Sequence, residues 1–133
     1  MRYFLDTNIC IFFLNETYAN VSETISLMPT RDIALPSMTI AELLFGAYNS
    51  ARREQNMARL DMFISRFRSY GFDKAAAEAH ARIRVALKRD GAPIGYNDLI
   101  IAATVIANRG VLVTNNTREF SRVPGLAIED WSA

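Results

Sequence analysis

The 133-residue chain has a single cysteine, Cys10. This excludes an internal disulfide and any zinc site built on cysteines. It also has a single histidine, His80, in the middle of an alanine-rich helical pattern. There it reads as a surface or helix-packing residue rather than a base. Cys10 has no evident base beside it and reads as core. No apolar stretch approaches the about 20 residues that cross a bilayer. The start, Met1-Arg2-Tyr3, lacks the layout of a secretory leader, because Asp6 and Asn8 interrupt any apolar run. A cytoplasmic protein with no membrane contact is the expectation. No glycine-rich loop leads into a lysine, which excludes a P-loop nucleotide site.

Lysine itself is scarce. Of fifteen basic residues only Lys74 and Lys88 are lysines, and thirteen are arginines. A receiver-type site needs a lysine at a late strand end, and neither lysine is near one. A haloacid-dehalogenase-like phosphatase wants a second aspartate at position 8, which is Asn8. The net charge of +1 gives no overall basic footprint for nucleic acid. The distribution is uneven, however. Residues 50–92 hold ten basic and five acidic side chains, and the planar fork of arginine suits phosphate. Such a stretch is equally a solvated helical face.

What is present predicts one compact domain spanning residues 1–133. Half of the residues are hydrophobic and 22% are charged, enough apolar surface for a real core. Short apolar runs at Tyr3–Leu5 and at 33–35, 111–113 and 127–128 read as buried strands, with a weaker one at 70–72. Helical patterns separate them: 9–14, 21–27, 40–48, a stretch presenting Met57, Leu60, Phe63, Ile64 and Phe67, then 75–87 and 99–107. Asp73 is the predicted N-cap of the helix at 75–87, and Gly91 with Pro93 ends it. Strands alternating with helices imply a parallel sheet with helices on its faces. The helix pair between Glu54 and Arg89 has the spacing of an inserted antiparallel hairpin.

The candidate chemistry lies in carboxylates at strand ends, where open α/β folds place their sites. Asp6 follows the first strand. Glu42 follows the second, in Ser37-Met38-Thr39-Ile40-Ala41-Glu42. Asp98 opens the helix at 99–107, and Glu119 follows the strand at 111–113. Gathered at one edge with no lysine or arginine among them, four carboxylates coexist only if some are protonated or a cation sits between them. All-oxygen ligands favour Mg²⁺ or Mn²⁺. Each acid also has an ordinary explanation. Thr39 and Glu42 fit a capping box, Asn116 and Glu119 a looser one, and Asp98 suits a helix N-terminus. Asp6 has the weakest such explanation, since a short helix at 9–14 has Asn8 as its cap.

The chain resembles the PIN-domain ribonucleases, and more narrowly the VapC toxins of bacterial toxin–antitoxin pairs. Four segments in order carry the resemblance. They are Leu5-Asp6-Thr7-Asn8, then Ser37 through Leu43 with Gly46-Ala47, then Gly91 through Ala103, and finally Val113-Thr114-Asn115-Asn116-Thr117-Arg118-Glu119-Phe120. The ending, with Val123-Pro124-Gly125-Leu126 and Glu129-Asp130-Trp131, is similar too. One departure stands out. Many family members carry an aspartate where this chain has Asn116, and Glu119, one turn on, is placed to supply that charge.

The resemblance implies a PIN-like three-layer α/β/α fold with a central parallel sheet of about five strands and an inserted helical hairpin. It implies Mg²⁺- or Mn²⁺-dependent RNA hydrolysis, with Asp6, Glu42, Asp98 and Glu119 as the catalytic acids. Asp6 and Asp98 would ligate the metal, and Thr7, Asn8, Thr114 and Asn116 would orient carboxylates or waters. It further implies a structured RNA substrate such as tRNA cut at a single-stranded loop, a homodimer, and a VapB-like antitoxin seated in a groove. Exposed parts of Phe12, Phe13, Tyr48, Met57 and Phe63 are the candidate groove residues. Two alternatives stand beside this reading: a PIN-like RNA- or protein-binding module that has lost catalysis, and a DNA-directed nuclease of the flap type.

Overall fold

The computed structural model describes all residues from Met1 to Ala133. Five strands form the sheet: β1 (Tyr3–Leu5), β2 (Ile33–Pro36), β3 (Arg68–Tyr70), β4 (Val111–Val113) and β5 (Ala127–Glu129). Their order is β3-β2-β1-β4-β5, and every pairing is parallel. Seven helices connect them: α1 (Thr7–Leu14), α2 (Ala19–Leu27), α3 (Ser37–Tyr48), α4 (Arg53–Ile64), α5 (Lys74–Arg89), α6 (Tyr96–Ala107) and α7 (Thr117–Phe120).

Strand alternation builds the three layers. Successive side chains of a strand point to opposite faces. Leu5, Ile33, Leu35 and Val113 enter one core, beneath Ile9, Val21, Leu43 and Leu60 of α1 to α4. Phe4, Ala34 and Leu112 enter the other, beneath Ile83, Leu87, Leu99 and Ile101 of α5 and α6. Both faces are covered, so the central strands are continuous apolar runs rather than alternating ones.

The expected hairpin between residues 54 and 89 does not form. α4 packs on α3, and α5 packs on α6. Between them the chain runs through β3, which pairs with β2 and carries the polypeptide from one face of the sheet to the other. The weak strand expected at 70–72 is β3, two residues earlier. Its register is Ala34 to Arg68, Leu35 to Ser69 and Pro36 to Tyr70. Arg68 and Ser69 are exposed, so this edge strand has no hydrophobic signature of its own.

Helix ends follow local chemistry. The Asp73 carboxylate accepts from the Ala76 N–H at 3.0 Å and caps α5 as expected. At the other end Gly91 takes φ +62°. Its N–H reaches the Lys88 carbonyl and that of Ala92 the Leu87 carbonyl, the two bonds of a Schellman ending. α6 ends by the same pair of bonds, Arg109 to Ile106 and Gly110 to Val105. Here the left-handed residue is Arg109, at φ 54°. Glycine is placed one position later, at Gly110, because a Cβ there would lie 2.4 Å from the Phe4 ring.

Candidate active site

The strand order reverses between β1 and β4. From β1 the chain moves outward to β2 and β3, then crosses to β4 and β5. Such a switch point opens a crevice at the carboxyl ends of the two central strands. Asp6 follows β1 and Thr114 follows β4, so both lie at its mouth.

Asp6 is 5% exposed. Its N–H continues the ladder to the Val113 carbonyl at 3.0 Å. Its carboxylate accepts from the Ile9 N–H at 2.9 Å and so caps α1. The sequence expectation that Asn8 would serve as this cap is corrected: α1 starts two residues earlier, at Thr7, and Asn8 is an exposed residue of its first turn. Burial pushes the Asp6 carboxyl up to about 6, against hydrogen bonds from Thr114 and Ile9 that pull it down. Repulsion from Glu42 and Asp130 adds to the rise.

Glu42 does not close a helix start. α3 begins at Ser37 after Pro36, with no side-chain cap. Thr39 instead donates to the Leu5 carbonyl at 3.1 Å, inside the protein, and pins α3 to the end of β1. One turn along, Glu42 accepts a short hydrogen bond from the Thr7 hydroxyl and a second, at 3.3 Å, from the Asn97 amide. Both oxygens are thereby oriented from α1 and α6.

Asp98 lies in the first turn of α6. Burial raises its carboxyl to about 7, helped by repulsion from Glu119, Glu42 and Asp6 and by a proton shared with Glu119. Glu119 responds in the opposite direction. Burial would raise it, but hydrogen bonds from the Gly95 N–H, Asn116 and Asp98, with the nearby Arg122 charge, hold it below its ordinary value. The Gly95 bond is 2.9 Å and the Asn116 bond 2.7 Å. Glu119 therefore clamps the loop before α6 to the segment after β4. The looser capping box expected for Asn116 and Glu119 is a contact between side chains; α7 itself has no side-chain cap. Thr114, fully buried, accepts from the Asn116 N–H at 2.9 Å and bonds Asp6.

The four acids thus share one edge, within electrostatic reach of one another. No three of them converge on one point as a ready chelate; Ile9, Thr7, Gly95 and Asn116 each hold a carboxylate oxygen of Asp6, Glu42 or Glu119. The donors fit a hard divalent cation nonetheless: they are all oxygens, and burial and mutual repulsion raise the Asp6 and Asp98 carboxyls, a cost that a cation would relieve.

Three participants escaped the sequence expectation. Asn97 bonds Glu42, and the Gly95 N–H bonds Glu119; both adjoin Asp98, whose neighbours were the available signal. Asp130 adds negative charge near Asp6. It follows β5 as Asp6 follows β1, so the strand-end logic applied to the last strand would have found it. The proposed groove residues are mostly core: Phe63 is buried, and Phe12, Phe13 and Met57 are partly buried against the core. Tyr48 alone is well exposed, with Arg53 stacked over its ring. The open trough on this side is lined by Ile11, Leu14, Leu43, Gly46 and Leu60 and reaches Glu42.

Comparison with known proteins gives the family. The PIN domain family model matches residues 3–126. The chain is 42% identical over 132 residues, covering 99% of both chains, to a tRNA(fMet)-specific endonuclease VapC of Shigella flexneri. It is 40% identical over 134 residues, 98% of both, to ribonuclease VapC2 of Rickettsia felis. The crystal structure of DNA-bound VapBC from Salmonella typhimurium contains a chain that superposes with a TM-score of 0.93 at 40% identity, covering 98% of each. A crevice of four acids at the switch point of a five-stranded parallel sheet, in a chain alike over its full length to these proteins, leads to one assignment: the chain belongs to the PIN-domain family, among the VapC ribonucleases.

Proposed function

We propose that this chain is a Mg²⁺- or Mn²⁺-dependent endoribonuclease and the toxin of a toxin–antitoxin pair, with tRNA as substrate. The observation that carries the reading is the joint placement of Asp6, Glu42, Asp98 and Glu119 at one crevice, where burial and mutual repulsion raise the Asp6 and Asp98 carboxyls. Asp6 and Asp98 would hold the cation. When bound, it supplies Lewis-acid charge to a phosphate oxygen and lowers the pKa of water. Glu42 and Glu119 would hold metal-bound waters or a second ion. Thr7 and Asn97 fix Glu42; Asn116 and the Gly95 N–H fix Glu119. Thr114 steadies Asp6, and Asn8, exposed at the mouth, faces solvent where substrate arrives.

The test is Asp98→Asn. Purified parent protein cleaves RNA with Mg²⁺, and the variant loses about a hundredfold or more of that rate. Cleavage at the parent's rate overturns the site.

A VapB-like antitoxin is the proposed inhibitor, in keeping with the VapBC complex that the chain resembles. The trough at Ile11, Leu14, Leu43 and Leu60 suits the apolar face of such a segment, and it ends at Glu42, where a cationic residue would meet the acids. A homodimer working in the cytoplasm completes the reading; no helix is long and apolar enough to cross a membrane. The degenerate-module alternative rested on Asn116. That amide donates to Glu119, a positioning role that an ionised carboxylate could not fill.

A further inference from the structure

Tyr96 is 83% exposed, an unusual situation for a large aromatic side chain on the first turn of a helix whose other face is core. It forms the wall between two cavities. On one side lies the acidic cleft, with Glu42, Gly95, Asn97 and Asp98. On the other lies a hollow of about 340 Å³ lined by Arg84, Lys88, Pro93, Ile94 and Leu99. That second hollow differs in chemistry from the first. Its floor is apolar, with Leu99 and Leu87 buried, and its rim carries two exposed cations from α5. Arg122 braces the same loop, donating to the Pro93 carbonyl at 3.1 Å.

We propose that this hollow is a nucleotide subsite: Tyr96 stacks on the base adjoining the scissile phosphate, and Arg84 and Lys88 hold the next phosphate. An apolar floor with an exposed aromatic edge suits a base, whose flat π-face stacks without demanding a particular hydrogen-bond pattern. A cationic rim suits the backbone. Tyr96 lines the acidic cleft together with Asp98 and also lines the second hollow, so a strand that leaves the cleft for the hollow passes over its ring. Only an unpaired base can be splayed into such a hollow, which makes the substrate a single-stranded loop or end. This explains how a cleft crowded with carboxylates engages a polyanion: the charge that attracts the strand is next door to the charge that cuts it.

The inference rests on the ribonuclease reading, and two measurements keep them apart. The first is steady-state cleavage of a labelled single-stranded oligoribonucleotide with Mg²⁺. The second is binding of the same oligonucleotide in EDTA, by fluorescence anisotropy. Tyr96→Ala raises KM and weakens binding by about tenfold or more, the range for losing one stacked base, while kcat falls much less. Tyr96→Phe keeps the ring and stays within about twofold of the parent. Replacing Arg84 and Lys88 together by alanine reduces the slope of log affinity against log salt by about 0.7, the single-strand value for one phosphate. The proposal is overturned if Tyr96→Ala binds and cleaves like the parent. It is also overturned if Tyr96→Phe falls as far as alanine, or if Tyr96→Ala weakens only a partner protein's binding. A parent that binds the oligonucleotide through Tyr96 but cleaves no RNA retains the subsite and refutes the nuclease.

Discussion

Replacing Asp6 by asparagine tests the electrostatic logic of the crevice without any cleavage assay. Asp6 is almost fully buried, and its carboxyl is raised from 3.8 to about 6. Its folded-state pKa therefore exceeds its unfolded value. The stability linked to this group is complete below about pH 4 and is lost as pH rises through 6. A shift of two units, at 1.36 kcal/mol per unit, amounts to about 3 kcal/mol in the metal-free protein at pH 8. Asparagine keeps an oxygen for the Ile9 N–H and carries no charge. In EDTA, Asp6→Asn is then more stable than the parent at pH 8, by up to about 3 kcal/mol, or on the order of 10 °C in Tm. At pH 4.5 most of the difference disappears, because the parent's carboxyl is protonated in the fold. Comparing the two pH values cancels any local packing change. Urea denaturation of both proteins at both pH values measures it. Added Mn²⁺ should stabilise the parent at pH 8 and leave the variant almost unmoved. An Asp6→Asn protein with the same deficit or surplus at both pH values would refute the claim that an uncompensated carboxylate is buried here.

Mn²⁺ affinity of the parent, measured by calorimetric titration, should rise with pH through about 7 and then level off, since the Asp98 proton must leave first. Gly110→Ala should destabilise the fold by about 1–3 kcal/mol in chemical denaturation, because its Cβ meets the Phe4 ring and that ring is fully buried. Thr39→Val keeps the shape of the side chain but strands the Leu5 carbonyl, a loss of about 1–3 kcal/mol; unchanged stability would mean that the link between β1 and α3 contributes nothing.

Sequence by itself determined the elements whose signal is carried by side chains. The runs at β1, β2 and β4 are buried on both faces, so every residue in them had to be apolar. Asp73 and Gly91 marked the ends of α5 because capping is local chemistry. The four acids were visible because each follows a strand or opens a helix. Tertiary structure decided what depends on neighbours distant in the chain. β3 is held at the edge by backbone pairing to β2, and backbone hydrogen bonds leave no mark on side-chain pattern; its exposed Arg68 and Ser69 therefore hid it. With only a weak strand signal between them, α4 and α5 looked like partners, whereas the crossing at β3 puts them on opposite faces. The order of the strands alone creates the crevice between β1 and β4. Only there does Asp6 become both the cap of α1 and a buried charge beside Glu42 and Asp98, since helix capping is set within three residues and electrostatic repulsion is set by the fold.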